Sequence, residues 1–155
     1  MIQPRFAKPS QLTEEKLTEA YQQTLYKVFY EDQTIVLRVG TPSAELTQLL
    51  QKLQYTTWAL ITAFNPHSQI LGRDENAKRN YLLTSAVEKR EFSFLRAAGY
   101  DPTGKWLPEE SLLILDITQA EAVALGKTFQ QNAILYGEVG VAPTLIWIAN
   151  CKANN

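Results

Sequence analysis

The chain has 155 residues, 45% hydrophobic and 20% charged, with fifteen basic side chains against sixteen acidic ones. That length suits one domain with one core, and the composition excludes a largely disordered polymer. A net charge of −1 offers no basic field to a nucleic-acid backbone. The longest apolar run, near Trp58–Phe64, falls far short of the ~20 residues that cross a bilayer.

Two further counts narrow the chemistry. One cysteine, Cys151, cannot close an internal disulfide, and one histidine, His67, has no cysteine near it in sequence to build a zinc site. With no secretory pattern at its start, the chain is expected to be cytoplasmic. No cofactor, metal, nucleic acid or membrane is expected as a partner, and the oligomeric state is left open.

Residues Met1–Gln11 hold two prolines and no periodicity, which predicts an extended arm. Thr13 fits an N-cap, with Glu14 and Glu15 in the first turn, and Leu12 with Leu17 fits a hydrophobic staple. Leu17, Ala20, Tyr21 and Thr24 continue that helix at helical spacing. Leu25–Tyr30 and Thr34–Val39 are β-branched and aromatic, and the Glu31-Asp32-Gln33 break makes them a hairpin. Thr41-Pro42 suits a cap and first helical position, and Leu46, Leu49, Leu50 and Leu53 form the strongest amphipathic stripe in the chain.

Thr56–Ala63 is nearly unbroken apolar sequence, which predicts a central strand covered on both faces. It ends in the turn sequence Phe64-Asn65-Pro66-His67-Ser68. A long helix is predicted over about Asp74–Glu91, with Leu82, Leu83, Ala86 and Val87 as its apolar face. Strands near Phe92–Tyr100 and Ser111–Ile117 flank an Asp101-Pro102-Thr103-Gly104 turn. Thr118-Gln119-Ala120-Glu121 fits a capping box for a helix to about Gln130, with Ala122, Leu125, Gly126 and Phe129 inward. Ala133–Tyr136 and Thr144–Ala149 are two more strands, and Lys152–Asn155 is a polar tail. The predicted fold is α/β bordering α+β: a single domain over 1–155 with one mixed sheet of about seven strands and about four helices. Its element order is α-β-β-α-β-α-β-β-α-β-β. Leu46, Leu49, Leu50, Leu53, Trp58, Leu60, Leu83, Leu113, Leu115, Phe129 and Ile146 are its candidate core.

Candidate functional residues gather where the core-facing stripe of the long helix turns polar. Stepping back from Leu83 reaches Arg79, then Asn76 and Glu75, which brings Asn65, Asn76, Arg79 and Asn80 towards the Asn-Pro turn. Helix N-termini beyond strand ends offer free N–H groups to anions, although no glycine-rich phosphate fingerprint is present. The competing reading is that these groups cap the helix and tie down a loop. In Trp106-Leu107-Pro108-Glu109-Glu110-Ser111, at most one of the two adjacent carboxylates can point inward, where it could pair with Arg79 or act as a general base. Gln131, in Phe129-Gln130-Gln131-Asn132, serves either loose helix carbonyls or a ligand's polar edge. His67 suits a loop exposed to solvent better than a catalytic base, and no nucleophile motif appears.

Four motifs in this order, Trp58–Pro66, Glu75-Asn76 with Arg79-Asn80, Trp106–Ser111 and Phe129–Ala133, resemble a bacterial family called only domain of unknown function 3293. The likeness spans about Tyr21 to Ile146. It implies one domain and transfers no activity and no catalytic residue. Two functional readings stand. In the first, the domain binds a small polar or anionic ligand at the carboxyl end of strand 56–63, with Asn65, Asn76, Arg79, Asn80, Glu109, Glu110 and Gln131 as the site. In the alternative, it is a protein–protein interaction module and the polar cluster is purely structural. Whether it is an enzyme is left open.

Overall fold

The computed structural model describes residues 14–148. The expected arm, the Thr13 cap with its Leu12 staple, Cys151 and the polar tail lie outside the described residues. In chain order the elements are α1 (Glu14–Gln23), β1 (Leu25–Tyr30), β2 (Gln33–Leu37), α2 (Ala44–Leu53), β3 (Thr57–Thr62), α3 (Arg73–Lys89), β4 (Phe94–Tyr100), β5 (Glu109–Leu115), α4 (Gln119–Thr128), β6 (Ala133–Glu138) and β7 (Thr144–Trp147). This is the predicted succession of four helices and seven strands.

The strands form one sheet in the order β2-β1-β4-β5-β3-β6-β7. Every pairing is antiparallel, so the sheet does not mix strand directions as the sequence reading expected. The sheet also curls. Gly40 after β2 donates its N–H to the carbonyl of Pro143 before β7 at 2.9 Å, although β2 and β7 are the opposite edges of the strand order.

The alternation of side chains divides the core into two layers. Inside the curl, Trp58 and Leu60 of β3, with Leu113 and Leu115 of β5, pack on Leu46, Leu49 and Leu50 of α2. On the other face, Ala59, Ile61, Leu112 and Ile114 meet Leu83 and Val87 of α3 and Ala122 and Leu125 of α4. Helices therefore cover β3 on both sides, which is why its sequence is apolar without alternation. α1 forms a third cluster at one end, where Leu17 and Tyr21 lie against Ala133 and the Tyr21 ring meets Trp147 edge-on at 5.8 Å.

Local differences from the sequence reading have local causes. α2 is capped by Ser43, whose hydroxyl accepts from the N–H of Leu46 at 3.1 Å, because Thr41 is still occupied in a bridge with Arg38. Leu82 is 48% exposed, since α3 turns only the Asn76, Leu83 and Val87 stripe inward. Leu53 and Ile146 are partly buried against the core rather than inside it. β5 begins two residues earlier than expected, because Glu109 and Glu110 already pair with Gly99 and Ala98 of β4. That early start positions the site.

Candidate functional site: a cleft at the end of the curled sheet

Antiparallel pairing brings the end of β3 together with the beginnings of β1, β5 and β6. The chain leaves β3 through a loop whose backbone sits in the left-handed region at Asn65 (φ 49°), His67 (φ 53°) and Ser68 (φ 63°). Such a run is costly for residues with a Cβ and persists only where its surroundings over-determine it. Buried amides do so here. Asn65 donates its N–H to Asn76 Oδ1 at 2.9 Å, and its own Oδ1 accepts from Asn76 Nδ2 and the Leu71 N–H, both at 2.9 Å. Asn132 Nδ2 donates to Ser68 Oγ at 2.8 Å, and the His67 N–H donates to the Gln130 carbonyl at 2.8 Å. The His67 side chain is exposed.

Arg79 is committed to the same frame. Its Nε donates to the Ala63 carbonyl at 2.6 Å, Nη2 to the Phe129 carbonyl at 2.5 Å and Nη1 to Gln130 Oε1 at 3.2 Å. Its partners are two main-chain carbonyls and an amide, so neither Glu109 nor Glu110 fills the pairing role expected of one of them. Partial burial lowers its pKa from the usual guanidinium value. Gln131 Nε2 donates to the carbonyls of Phe64 at 3.0 Å and Phe129 at 3.2 Å, and Asn80 Nδ2 donates to Glu110 Oε1 at 3.2 Å. The structure thus brings Asn65, Asn76, Arg79, Asn80, Glu109, Glu110 and Gln131 to one end of the sheet. Most of them fasten three chain segments to one another.

Glu109 is the member that also faces elsewhere. It accepts from Asn65 Nδ2 at 2.7 Å, and it shares the inner face of β5 with Ser111, Leu113 and Leu115. Inside the curl, beneath α1, it lines a small open cleft of about 30 Å3. Leu60 and Leu135 line that cleft, together with Tyr21, Tyr26 and Trp106. Its polar lining is Thr24, Thr62, Glu109, Ser111 and the Tyr26 phenol.

Two groups in the cleft are electrostatically unusual. Burial pushes the Glu109 carboxyl above its ordinary pKa, against opposing effects that include a nearby positive charge and the Asn65 hydrogen bond. Burial also raises the Tyr26 phenol well above its usual value, despite a hydrogen bond with Thr24, and the nearby Glu109 charge adds to the rise. Ser111 is only 3% exposed, and its Oγ has no hydrogen-bond partner among the described residues. A buried hydroxyl in that state costs about 1–3 kcal/mol relative to a satisfied one.

The sequence reading missed Tyr21, Thr24, Tyr26, Thr62 and Ser111 as lining residues. One signal was present. Starting β5 at Glu109 puts Glu109 and Ser111 at alternate positions with Leu113 and Leu115, polar residues on an inward-facing row.

Residues 61–134 match the model of a family described as protein of unknown function (DUF3293). The chain resembles that family. The matched stretch is narrower than the span from Tyr21 to Ile146. It still carries Asn65, Asn76, Arg79, Glu109, Ser111 and Gln131, while Tyr21, Thr24 and Tyr26 precede it. No curated protein and no solved structure matches the chain. Among the described residues, no helix is long and apolar enough to cross a membrane.

Proposed function

We propose that the domain binds a small polar molecule in the cleft beneath α1, with Ser111 as its polar anchor. The observation that carries this reading is the Ser111 hydroxyl: buried, lining a cleft, and without a hydrogen-bond partner among the described residues. Binding sites pair apolar walls with a few convergent polar groups, and this lining has that composition. The reading keeps the carboxyl end of β3 as the place and moves the centre from Arg79 to Ser111. Arg79 spends donors of all three guanidinium nitrogens on the protein, so it is poorly placed to receive an anion. The Asn65–Asn76 pair serves as the frame that holds Glu109.

A thermal-shift screen of small amines, alcohols and carboxylic acids tests the reading. A ligand at a hundred times its dissociation constant adds about 2.7 kcal/mol of stability. The same compounds should lose their effect on Ala133→Leu, which fills the cleft from β6. Stabilisation that survives this substitution, or no stabilisation by any compound of the three classes, would count against the cleft.

A further inference from the structure

We propose that the outer face of β1, β2 and β4 binds single-stranded nucleic acid, with Lys27, Arg38 and Arg96 on its phosphates and Phe29 stacked on a base. This face is independent of the cleft, which opens inside the curl. Strand alternation decides what it carries. Tyr26, Val28, Ile35 and Ala97 turn into the inner core with α2. Lys27 and Phe29 of β1, Val36 of β2 and Arg96 and Tyr100 of β4 therefore turn outward, and Arg38 continues the alternation of β2. Register sets them side by side: Phe29 stands opposite Arg96, and Lys27 stands between Ala98 and Val36. The outer core cluster under α3 and α4 reaches Phe94 of β4 and takes in nothing from β1 or β2. Phe29 is accordingly 37% exposed and Val36 44%, and Arg38 and Arg96 are exposed.

The net charge of −1 gives the chain as a whole no basic field, so the field here is local. Among the described residues, neither Arg38 nor Arg96 has an ion-pair partner, and Lys27 lies over the Tyr100 ring at 4.4 Å. The carboxylates that border the face are Glu110, beyond Ala98 and held by Asn80, and Glu31 and Asp32 in the hairpin turn. Cations with an exposed ring among them match a strand that offers both phosphates and unstacked bases. An acidic peptide supplies the charge and gives Phe29 no base to stack on. A duplex supplies the phosphates and keeps its bases stacked on one another. A single strand uses both features of the face.

The test is fluorescence anisotropy on the full chain with a labelled oligothymidylate, its duplex with oligoadenylate, and a poly-glutamate peptide of equal charge. The oligothymidylate should bind tightest. Its affinity should fall about twentyfold between about 50 and about 200 mM salt, as three neutralised phosphates imply. Arg38→Gln with Arg96→Gln should weaken it about tenfold or more and flatten that dependence. Phe29→Ala should weaken it about fivefold or more and leave the salt slope unchanged. Lys78→Gln with Lys89→Gln, a charge-matched pair on the exposed side of α3, should leave affinity unchanged. If the arginine variant melts early, Phe29→Ala, which keeps every charge, decides by itself. No binding of the oligothymidylate at low salt, or equal weakening by the arginine pair and its α3 control, overturns the proposal. Poly-glutamate binding as tightly as the oligothymidylate, with Phe29→Ala indifferent, would overturn it in favour of an acidic protein partner. Tighter binding of the duplex would also overturn it.

Discussion

Replacing Arg79 by alanine removes donors from the Ala63 and Phe129 carbonyls in one step. Those carbonyls belong to the exits of β3 and α4, so the substitution loosens two loops together. The guanidinium is partly solvated, so water recovers some of the loss, and a cost of about 1–3 kcal/mol is expected in chemical denaturation. A change under about 0.5 kcal/mol would show that the three hydrogen bonds do not hold the frame. The sequence made the meeting of Asn65, Asn76 and Arg79 legible, because helical spacing points them at the Asn-Pro turn. It did not make the arginine's partners legible. Main-chain carbonyls carry no residue signature, and their positions depend on how α4 and β3 dock. Glu109 yields a second test. Burial favours its protonated form in the folded chain, so its folded pKa lies above the unfolded one. Below the ordinary carboxylate range both states hold the proton. As pH rises, the unfolded chain releases its proton first, so stability falls between the ordinary value and the raised one and then levels off. Compared with Glu109→Gln, the native chain should therefore lose relative stability as pH rises from about 4. Parallel stability curves for the two proteins would contradict a raised pKa.

α4 shows when an element can be read from a short window. Thr118 Oγ1 accepts from the Glu121 N–H at 3.1 Å, and Glu121 Oε1 accepts from the Thr118 N–H at 2.9 Å, which is the reciprocal pair its four-residue motif predicts. Those hydrogen bonds hold the Glu121 carboxyl below its usual pKa. Thr118→Ala should cost about 1 kcal/mol by thermal or urea denaturation, and an unchanged transition would mean the cap adds nothing. α2 obeys the same chemistry, yet its cap moved from Thr41 to Ser43, because a bridge outside the helix had claimed Thr41. β6 carries a constraint that no local pattern announces. A Cβ on Gly137 would stand 2.5 Å from the Trp58 ring, which is 1% exposed and has nowhere to go. Gly137→Ala should destabilise the domain by about 1–3 kcal/mol, where the same change at an open strand position would be mild. A neutral effect would require the Trp58 ring to shift.

Strand direction is where sequence periodicity has least to say. Apolar runs such as 57–62 and 112–115 report burial on both faces, and burial is the same in parallel and antiparallel sheets covered by helices. Four helices among seven strands suggested a mixed sheet, and the pairings came out antiparallel throughout. That difference matters for function. In a sheet of this kind, one end gathers the exit of β3 with the entries of β1, β5 and β6, so Thr62, Tyr26, Glu109 and Ala133 meet although they are far apart in the chain. The curl then turns that end into a concave wall, and α1 covers it. The polar cluster was legible as a place, and the cleft was not, because it exists only once the sheet has closed on itself. Amide chemical shifts recorded while the full chain is titrated with a compound that stabilises it in the thermal-shift screen locate the binding surface. The account predicts saturable shifts concentrated at Gly99, Trp106, Ser111 and Ala133, with Tyr81 and Lys89 on the outer helix unmoved. Shifts centred instead on His67 and Arg79, or spread without saturation over the surface, would contradict it.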